Sequence, residues 1–251
     1  MGTVKLQPQS LEGIKKIIGI VSGKGGVGKT FLATNLALIF AKNNFTVGLM
    51  DADIAFPDVF QFLGITSKIN PTMDNKMQPV EKYGIRSVSM AGLSEQPDEP
   101  LMWRGPINVK IMQQFLKETT WGPLDILFID FPSNISDHAL TLLQHYAIDG
   151  LIAVTTPQKA ALQDTRRLLK SAEIFSVPIL GIVENMRGEI FGEAGSNRLA
   201  EEFHTSMIGS IPLRRNIAVS CDEGKPALFS SEELQFVFTK MARFIADKLG
   251  V

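Results

Sequence analysis

Short apolar runs alternate along the chain with stretches whose apolar residues recur every three or four positions, from Ile17 onward, without repeats or low-complexity tracts. That alternation predicts an α/β fold, a doubly wound and mostly parallel sheet flanked by helices. Residues 17–21 are apolar and mostly β-branched, as in a strand covered on both faces. Further strands are expected at 47–50, 124–130, 150–155, 179–184 and 207–211. Helices are expected at about 28–42, 56–63, 106–118, 160–175, 193–203 and 231–249. Pro106 suits a first helical turn, where its missing N–H is not needed. Residues 68–98, interrupted by Pro71, Pro79 and Pro97, read as turns with two short strands near 77–80 and 85–91.

The first strand runs into Ser22-Gly23-Lys24-Gly25-Gly26-Val27-Gly28-Lys29-Thr30. Gly23, Gly28, Lys29 and Thr30 fit G-x-x-x-x-G-K-[ST], the loop that cradles phosphates between a strand and a helix. Glycines allow positive φ and bring consecutive backbone N–H groups close to an anion. The helix that follows adds the positive end of its dipole. Lys29 can neutralise β- and γ-phosphate charge, and the Thr30 hydroxyl can bind Mg²⁺. The candidate nucleotide-binding segment is Gly23, Lys24, Gly25, Gly26, Val27, Gly28, Lys29, Thr30 and Phe31. Two more acidic positions end predicted strands, where open α/β sheets bind ligands. Asp51-Ala52-Asp53 follows the second strand, and its two carboxylates share a side if the strand continues that far. Asp130 closes the run Leu124–Asp130, the Walker B pattern, from which a carboxylate can hold Mg²⁺ directly or through water.

Composition narrows the reading. The 251 residues are 45% apolar, enough for one α/β domain spanning 1–251, and no second domain is expected. With 25 basic and 26 acidic residues the charge is balanced, so nothing overall points to nucleic acid or an anionic membrane. No signal peptide or eighteen-residue apolar run is present, and a soluble, cytoplasmic protein is expected. Cys221 is the single cysteine, which excludes an internal disulfide and any C-x-x-C pair within one chain. In the last predicted helix, Leu234, Val237, Phe238, Met241, Ile245 and Leu249 form a stripe. It fits packing on the sheet or a membrane-binding face; Lys240, Arg243 and Lys248 are too few for a polybasic anchor.

Lys24, one residue after the first loop glycine, makes the loop similar to the deviant Walker A motif of the MinD/ParA/nitrogenase-iron-protein class of ATPases. Within that class several stretches resemble the Mrp/ApbC family associated with iron–sulfur cluster assembly and transfer. They are Leu49 to Asp53 with Ile54 and Pro57; Trp103-Arg104-Gly105-Pro106; Trp121 to Asp125; Thr155-Thr156-Pro157-Gln158; Gly181 to Met186; and Asp222 to Pro226. The resemblance spans about residues 16–226. It implies a homodimer sandwiching two ATP molecules, with Lys24 reaching the partner's phosphates. Asp53 corresponds to the residue that positions or activates the attacking water, and Thr30 and Asp130 to the Mg²⁺ handlers. Asn185 sits where the family reads adenine, with Pro212 and Leu213 lining the base. Asp51 supports Asp53 or the loop, or serves as a cap.

Two departures limit the likeness. The family's C-x-x-C segment after Glu-Asn-Met is missing: Asn185-Met186 runs through Arg187-Gly188-Glu189-Ile190 into Phe191-Gly192. An iron–sulfur cluster generally takes four thiolates, and a dimer of this chain offers two, so cluster binding by the usual mode is not expected. After Asp130 the family's D-M-P-P-G-T-G-D is replaced by Asp130-Phe131-Pro132-Ser133-Asn134-Ile135-Ser136-Asp137. Losing both glycines restricts the backbone beside the γ-phosphate. Binding of ATP should survive, with hydrolysis or its coupling altered. His138 reads as a helix-surface residue, and His145 and His204 lack ligand spacing. Arg104 fits a nucleotide-responsive or subunit-contacting role and a plain surface position equally well.

The function expected is a Mg-ATP-dependent dimeric ATPase, slow or partner-stimulated, that assists iron–sulfur maturation with a scaffold or client protein. The alternatives are a ParA/MinD-like positioning switch acting on membrane, DNA or protein, and a nucleotide-bound interaction protein with negligible turnover.

Overall fold

The computed structural model describes residues 8–94, 105–133, 137–192 and 195–251. Trp103, Arg104, Asn134, Ile135, Ser136 and Glu193 lie outside them, as does the side chain of His138. The strands are β1 (Ile14–Ser22), β2 (Val47–Asp51), β3 (Asn70–Pro71), β4 (Met77–Gln78), β5 (Val80–Lys82), β6 (Ile85–Val88), β7 (Leu124–Asp130), β8 (Gly150–Thr155), β9 (Ile179–Arg187) and β10 (Met207–Pro212). The helices are α1 (Lys29–Lys42), α2 (Val59–Leu63), α3 (Gly105–Lys117), α4 (Asp137–His145), α5 (Lys159–Ile174), α6 (Ser196–Glu202), α7 (Arg215–Asp222) and α8 (Glu232–Leu249).

Eight strands form one sheet in the order β10-β9-β8-β1-β7-β2-β6-β5, parallel except for the edge strand β5. The expected doubly wound sheet is therefore present. β1 lies between β7 and β8, and the chain leaves it toward β2 on one side and later returns to β8 on the other. Such a reversal opens a crevice at the carboxyl ends of the strands, and the glycine loop occupies it. In the irregular region, one expected strand divides. Met77–Gln78 pairs antiparallel with Asn70–Pro71 outside the main sheet, while Val80–Lys82 pairs with β6 inside it. Helix α7 has no counterpart among the sequence expectations.

The middle strands read as continuous apolar runs because both faces are covered. Every residue of β8 is buried, as are all of β2 and all of β7 except Asp125. Phe40 of α1 packs on Phe128 of β7 with ring centroids 5.5 Å apart. Helix α8 lays Leu234, Phe238, Met241, Ala242 and Ile245 against α1 and β10. Phe238 meets Phe31 edge-on at 5.9 Å, and a side chain at Gly209 would collide with the Met241 sulfur at 2.4 Å. The apolar stripe is thus core, which removes it as a membrane face. Among the described residues no helix is long and apolar enough to cross a membrane.

At the opposite, amino-terminal edge of the sheet, Asp125 ties three strands together. It accepts from Lys15 Nζ at 2.7 Å, and from the Thr46 N–H at 2.8 Å and hydroxyl at 2.7 Å just before β2. The Lys15 and Thr46 hydrogen bonds pull its carboxyl down to about 2. The folded protein therefore holds this carboxylate ionised at a pH where the unfolded chain, titrating near about 4, has taken up a proton. The stabilisation is complete above about pH 4 and is lost as pH falls through about 2. Asp125→Asn is expected to cost about 1 kcal/mol near neutral pH, a value reduced for solvent screening of the exposed Lys15. Urea melts of the two proteins should converge as the pH approaches that lower limit; a constant difference at all pH values would contradict the clamp.

Candidate nucleotide-binding site

The loop leaves β1 at Ser22, whose hydroxyl donates to the Lys24 carbonyl at 3.1 Å. Gly26 and Gly28 take φ of +77° and +90°, left-handed values that side chains rarely adopt. A Cβ at Gly26 would meet no atom within 4 Å, because that residue faces an open cradle. At Gly28 it would lie 2.1 Å from Asn185 Nδ2, and at Gly23 2.2 Å from the backbone of Asp164. The three glycines thus have different reasons: an open face toward the crevice, and close approach to β9 and to α5.

Below the loop, polar groups from α1, β2 and β7 converge. Lys29 Nζ lies 2.8 Å from Asp130 Oδ1, an ion pair in which both side chains are buried. The Thr30 hydroxyl donates to Asp130 Oδ2 at 2.6 Å. Asp51 stands beside Asp130 in register across β2 and β7. Burial, then the negative charge of Asp130, raise the Asp51 carboxyl well above the usual carboxylate range. Asp51 accepts from the N–H of Asp53 at 3.1 Å, from the N–H of Val59 at 3.1 Å and from the Ser89 hydroxyl at 2.9 Å. It therefore fixes the turn after β2, the start of α2 and the end of β6 at once.

β2 ends at Asp51, so Asp51 and Asp53 do not share a strand face. Asp53 instead sits on the turn at the crevice mouth, its carboxylate accepting from the Phe56 N–H at 3.2 Å. Burial raises its carboxyl, and Asp58 is raised by burial and then by the charges of Asp53 and Asp130.

The crevice encloses about 460 Å³. It brings together Gly26, Gly28, Lys29, Thr30, Phe31, Asp53, Asn185, Pro212 and Leu213 of the expected residues. Gly23, Gly25 and Val27 build the loop behind it, and Asp130 lies hidden beneath Lys29 and Thr30. Lys24 is exposed and does not line the crevice. Asn185 is buried, its Nδ2 donating to the Val27 carbonyl at 2.8 Å, so one amide proton is committed to the loop and Oδ1 remains an acceptor. Phe31 divides its ring between the crevice and the core contact with Phe238.

Several lining residues escaped the sequence reading: Phe56, Asp58, Phe62, Ile217, Ala218 and Cys221. The last three belong to α7, whose available signals were Ile217 and Cys221 one helical step apart and Gly224 as a helix stop. Gly64 and Gly224 press α2 and α7 together, since a Cβ on Gly64 would lie 2.4 Å from the Gly224 carbonyl oxygen. Gln61 Nε2 adds a bond to the Asp222 carbonyl at 3.0 Å. Cys221 is half-buried, and burial followed by the Asp222 charge pushes its thiol up to about 11.

The cradle fits a nucleotide triphosphate tail: it has glycine backbone open to the crevice, a buried ammonium and a hydroxyl beside a carboxylate. Thr30 and Asp130 can hold Mg²⁺, which usually takes few protein ligands and completes its shell with phosphates and water. The residues do not fit a protein-ligated cluster. Where the resemblance places the cysteine segment, Gly188 and Gly192 bond to each other through both backbone N–H groups, at 3.2 and 2.7 Å, closing a five-residue turn. Among the described residues no three His, Cys, Asp or Glu side chains gather as a metal site.

A family model described as ParA, the NUBPL iron-transfer P-loop NTPases, matches residues 13–249. The iron-sulfur cluster carrier protein of Deinococcus radiodurans is 40% identical over 255 residues, covering 96% of this chain and 72% of that protein. A nucleotide-binding protein from Archaeoglobus fulgidus, solved in complex with ADP, is 28% identical with a TM-score of 0.74, covering 90% of this chain and 93% of that one. The Pyrococcus furiosus cell division ATPase MinD, at 22% identity and a TM-score of 0.71 over 93% of this chain and 99% of its own, shares the fold. A match from the first strand to the last helix leaves one assignment: this chain belongs to the ParA family of P-loop NTPases, in its NUBPL iron-transfer group.

Proposed function

We propose that the chain works as a single-domain, Mg-ATP-dependent ATPase that dimerises around nucleotide and assists iron–sulfur cluster assembly or transfer through a scaffold or client protein. The observation that carries the proposal is the preformed cradle, with Lys29 and Thr30 already held on Asp130 beneath an open glycine loop. The names of its relatives support the cluster-related part.

ATP enters with its phosphates on the loop N–H groups and its base against Asn185, Pro212 and Leu213. Asn185 Oδ1 accepts a hydrogen bond from the adenine amine, because Nδ2 is spent on Val27. Lys29 turns from Asp130 to the β- and γ-phosphates, and Thr30 with Asp130 would hold Mg²⁺. Mg²⁺ bound there would supply positive charge to offset that developing on the phosphates. Asp53 orients the water that attacks the γ-phosphorus and accepts its proton. A carboxyl raised by burial is better matched to that task than an ordinary one. Charge released onto the β-phosphate oxygen falls to Lys29 and to Lys24 of the other subunit. Phosphoryl transfer asks mainly for such positioning and electrostatic support.

A cluster is cargo in this reading, ligated chiefly by the partner. The closed Gly188–Gly192 turn and the protonated Cys221 thiol support that division. The same two features favour a second reading, a ParA/MinD-like switch in which ATP-driven dimerisation exposes a surface for a membrane, DNA or protein.

Calorimetry should detect binding of MgATP to the wild-type chain and none to Lys29→Ala. Asp53→Ala should bind ATP within about threefold of wild type yet lose about 10² or more in turnover. Absence of heat with ATP and ADP would remove the proposal. Anaerobic reconstitution should leave the dimer without stoichiometric iron and sulfide, while ATP promotes association with a cluster-loaded scaffold. Cluster loading abolished by Cys221→Ser would reverse the assignment of cargo to the partner, and ATP-dependent sedimentation with liposomes or DNA would favour the switch. Iodoacetamide should label Cys221 slowly near neutral pH and faster as pH rises toward about 11, with MgADP protecting it.

A further inference from the structure

A valley of about 670 Å³ runs between α5 and α6, away from the nucleotide crevice. Its floor is apolar: Pro157, Leu162 and Leu199. Gly195 makes the valley narrow at the start of α6, since a Cβ there would strike Leu162 Cδ1 at 2.6 Å. The walls are cationic. α5 contributes Lys159, Gln163, Arg166, Arg167 and Lys170, separated by helical steps of three and four along one flank, and α6 contributes Arg198 from across the valley. Among the described residues no acidic side chain lines it.

Two of the five cations are answered from outside the lining. Arg166 Nε lies 2.7 and 3.0 Å from the two Glu202 oxygens, and Arg167 lies 2.8 Å from Asp164. Lys159, Lys170 and Arg198 have no ion-pair partner among the described residues, in a chain whose net charge is −1. Like charges three or four residues apart on a helix repel each other. Their concentration over an apolar floor is relieved by an occupant that brings both acid and apolar surface. Nucleic acid brings the charge but meets no aromatic stacking platform here. A helix with one acidic and one apolar face satisfies walls and floor together, in the way helices lie in grooves.

We infer that the α5–α6 valley is a docking site for an acidic, amphipathic helical segment of a partner protein. The inference stands apart from the nucleotide reading, because none of its residues lines that crevice.

The test uses a fluorescent peptide of 16 residues, the length of α5, with leucines at helical spacing and glutamates elsewhere. Binding to the full chain is measured by anisotropy at low and high salt. Wild type should bind it at least about tenfold tighter than a scrambled peptide of the same composition, and more weakly as salt rises. The triple variant Lys159→Glu, Lys170→Glu, Arg198→Glu should lose at least about tenfold in affinity while keeping its melting temperature and MgATP binding. Arg198→Glu alone gives the same reading, with a smaller loss, if the triple variant does not fold. Equal binding of scrambled and patterned peptides, or no effect of charge reversal, would overturn the inference. So would tighter binding of an oligothymidylate of equal length, which makes the valley a nucleic-acid site, or loss of ATP-dependent dimerisation in the variants, which makes it a subunit interface.

Discussion

One buried ammonium holds the site together. Asp51 and Asp130 end neighbouring strands in register, so their carboxylates meet at the sheet edge with little water around them. Such a pair is tolerated only where charge is neutralised and every oxygen is hydrogen-bonded. Lys29 supplies the charge to Asp130, Thr30 takes the second oxygen, and Asp51 is satisfied by two backbone N–H groups and the Ser89 hydroxyl. The glycine loop is consequently anchored from beneath by its last two residues, from one side by Asn185 and from the other by α5. A phosphate-binding backbone held at three points has little freedom left to lose when an anion arrives, which is the condition for tight binding.

The same arrangement explains what a reader of the sequence can and cannot find. Leu124–Asp130 and Gly150–Thr155 are legible to the residue because doubly covered strands leave unbroken apolar runs. The phosphate loop is legible because its spacing is set by local backbone geometry. Asp51 is not, since its meaning comes from Ser89, 38 positions away, and from Asp130 on another strand. Nor is the link between Asn185 and Val27, which spans 158 positions. Helix α7 went unseen because it is eight residues long, so its apolar side, Ile217 and Cys221, shows a single helical step. With it went Ile217, Ala218 and Cys221, one wall of the crevice.

The nucleotide crevice and the α5–α6 valley occupy separate parts of the fold. The nucleotide crevice draws on β1, β2, β7 and β9 and closes against α7, while α5 lies behind the loop and turns its cationic flank outward. Gly23 is where the two regions touch: it admits the backbone of Asp164 and Thr165 so closely that no methyl group fits between. Loop and helix therefore share a contact of main chain against main chain, which does not depend on any side-chain rotamer.

The turn between Gly188 and Gly192 has a wider meaning. Its two ends are stitched to each other, and its tip, Ile190, is largely exposed and contributes nothing to the core. Chain length added or removed at that tip leaves the stitched base, the strand beneath it and Asn185 where they are. Where the resemblance places a cysteine segment, the length of the surface loop is thus uncoupled from the nucleotide cradle beneath it.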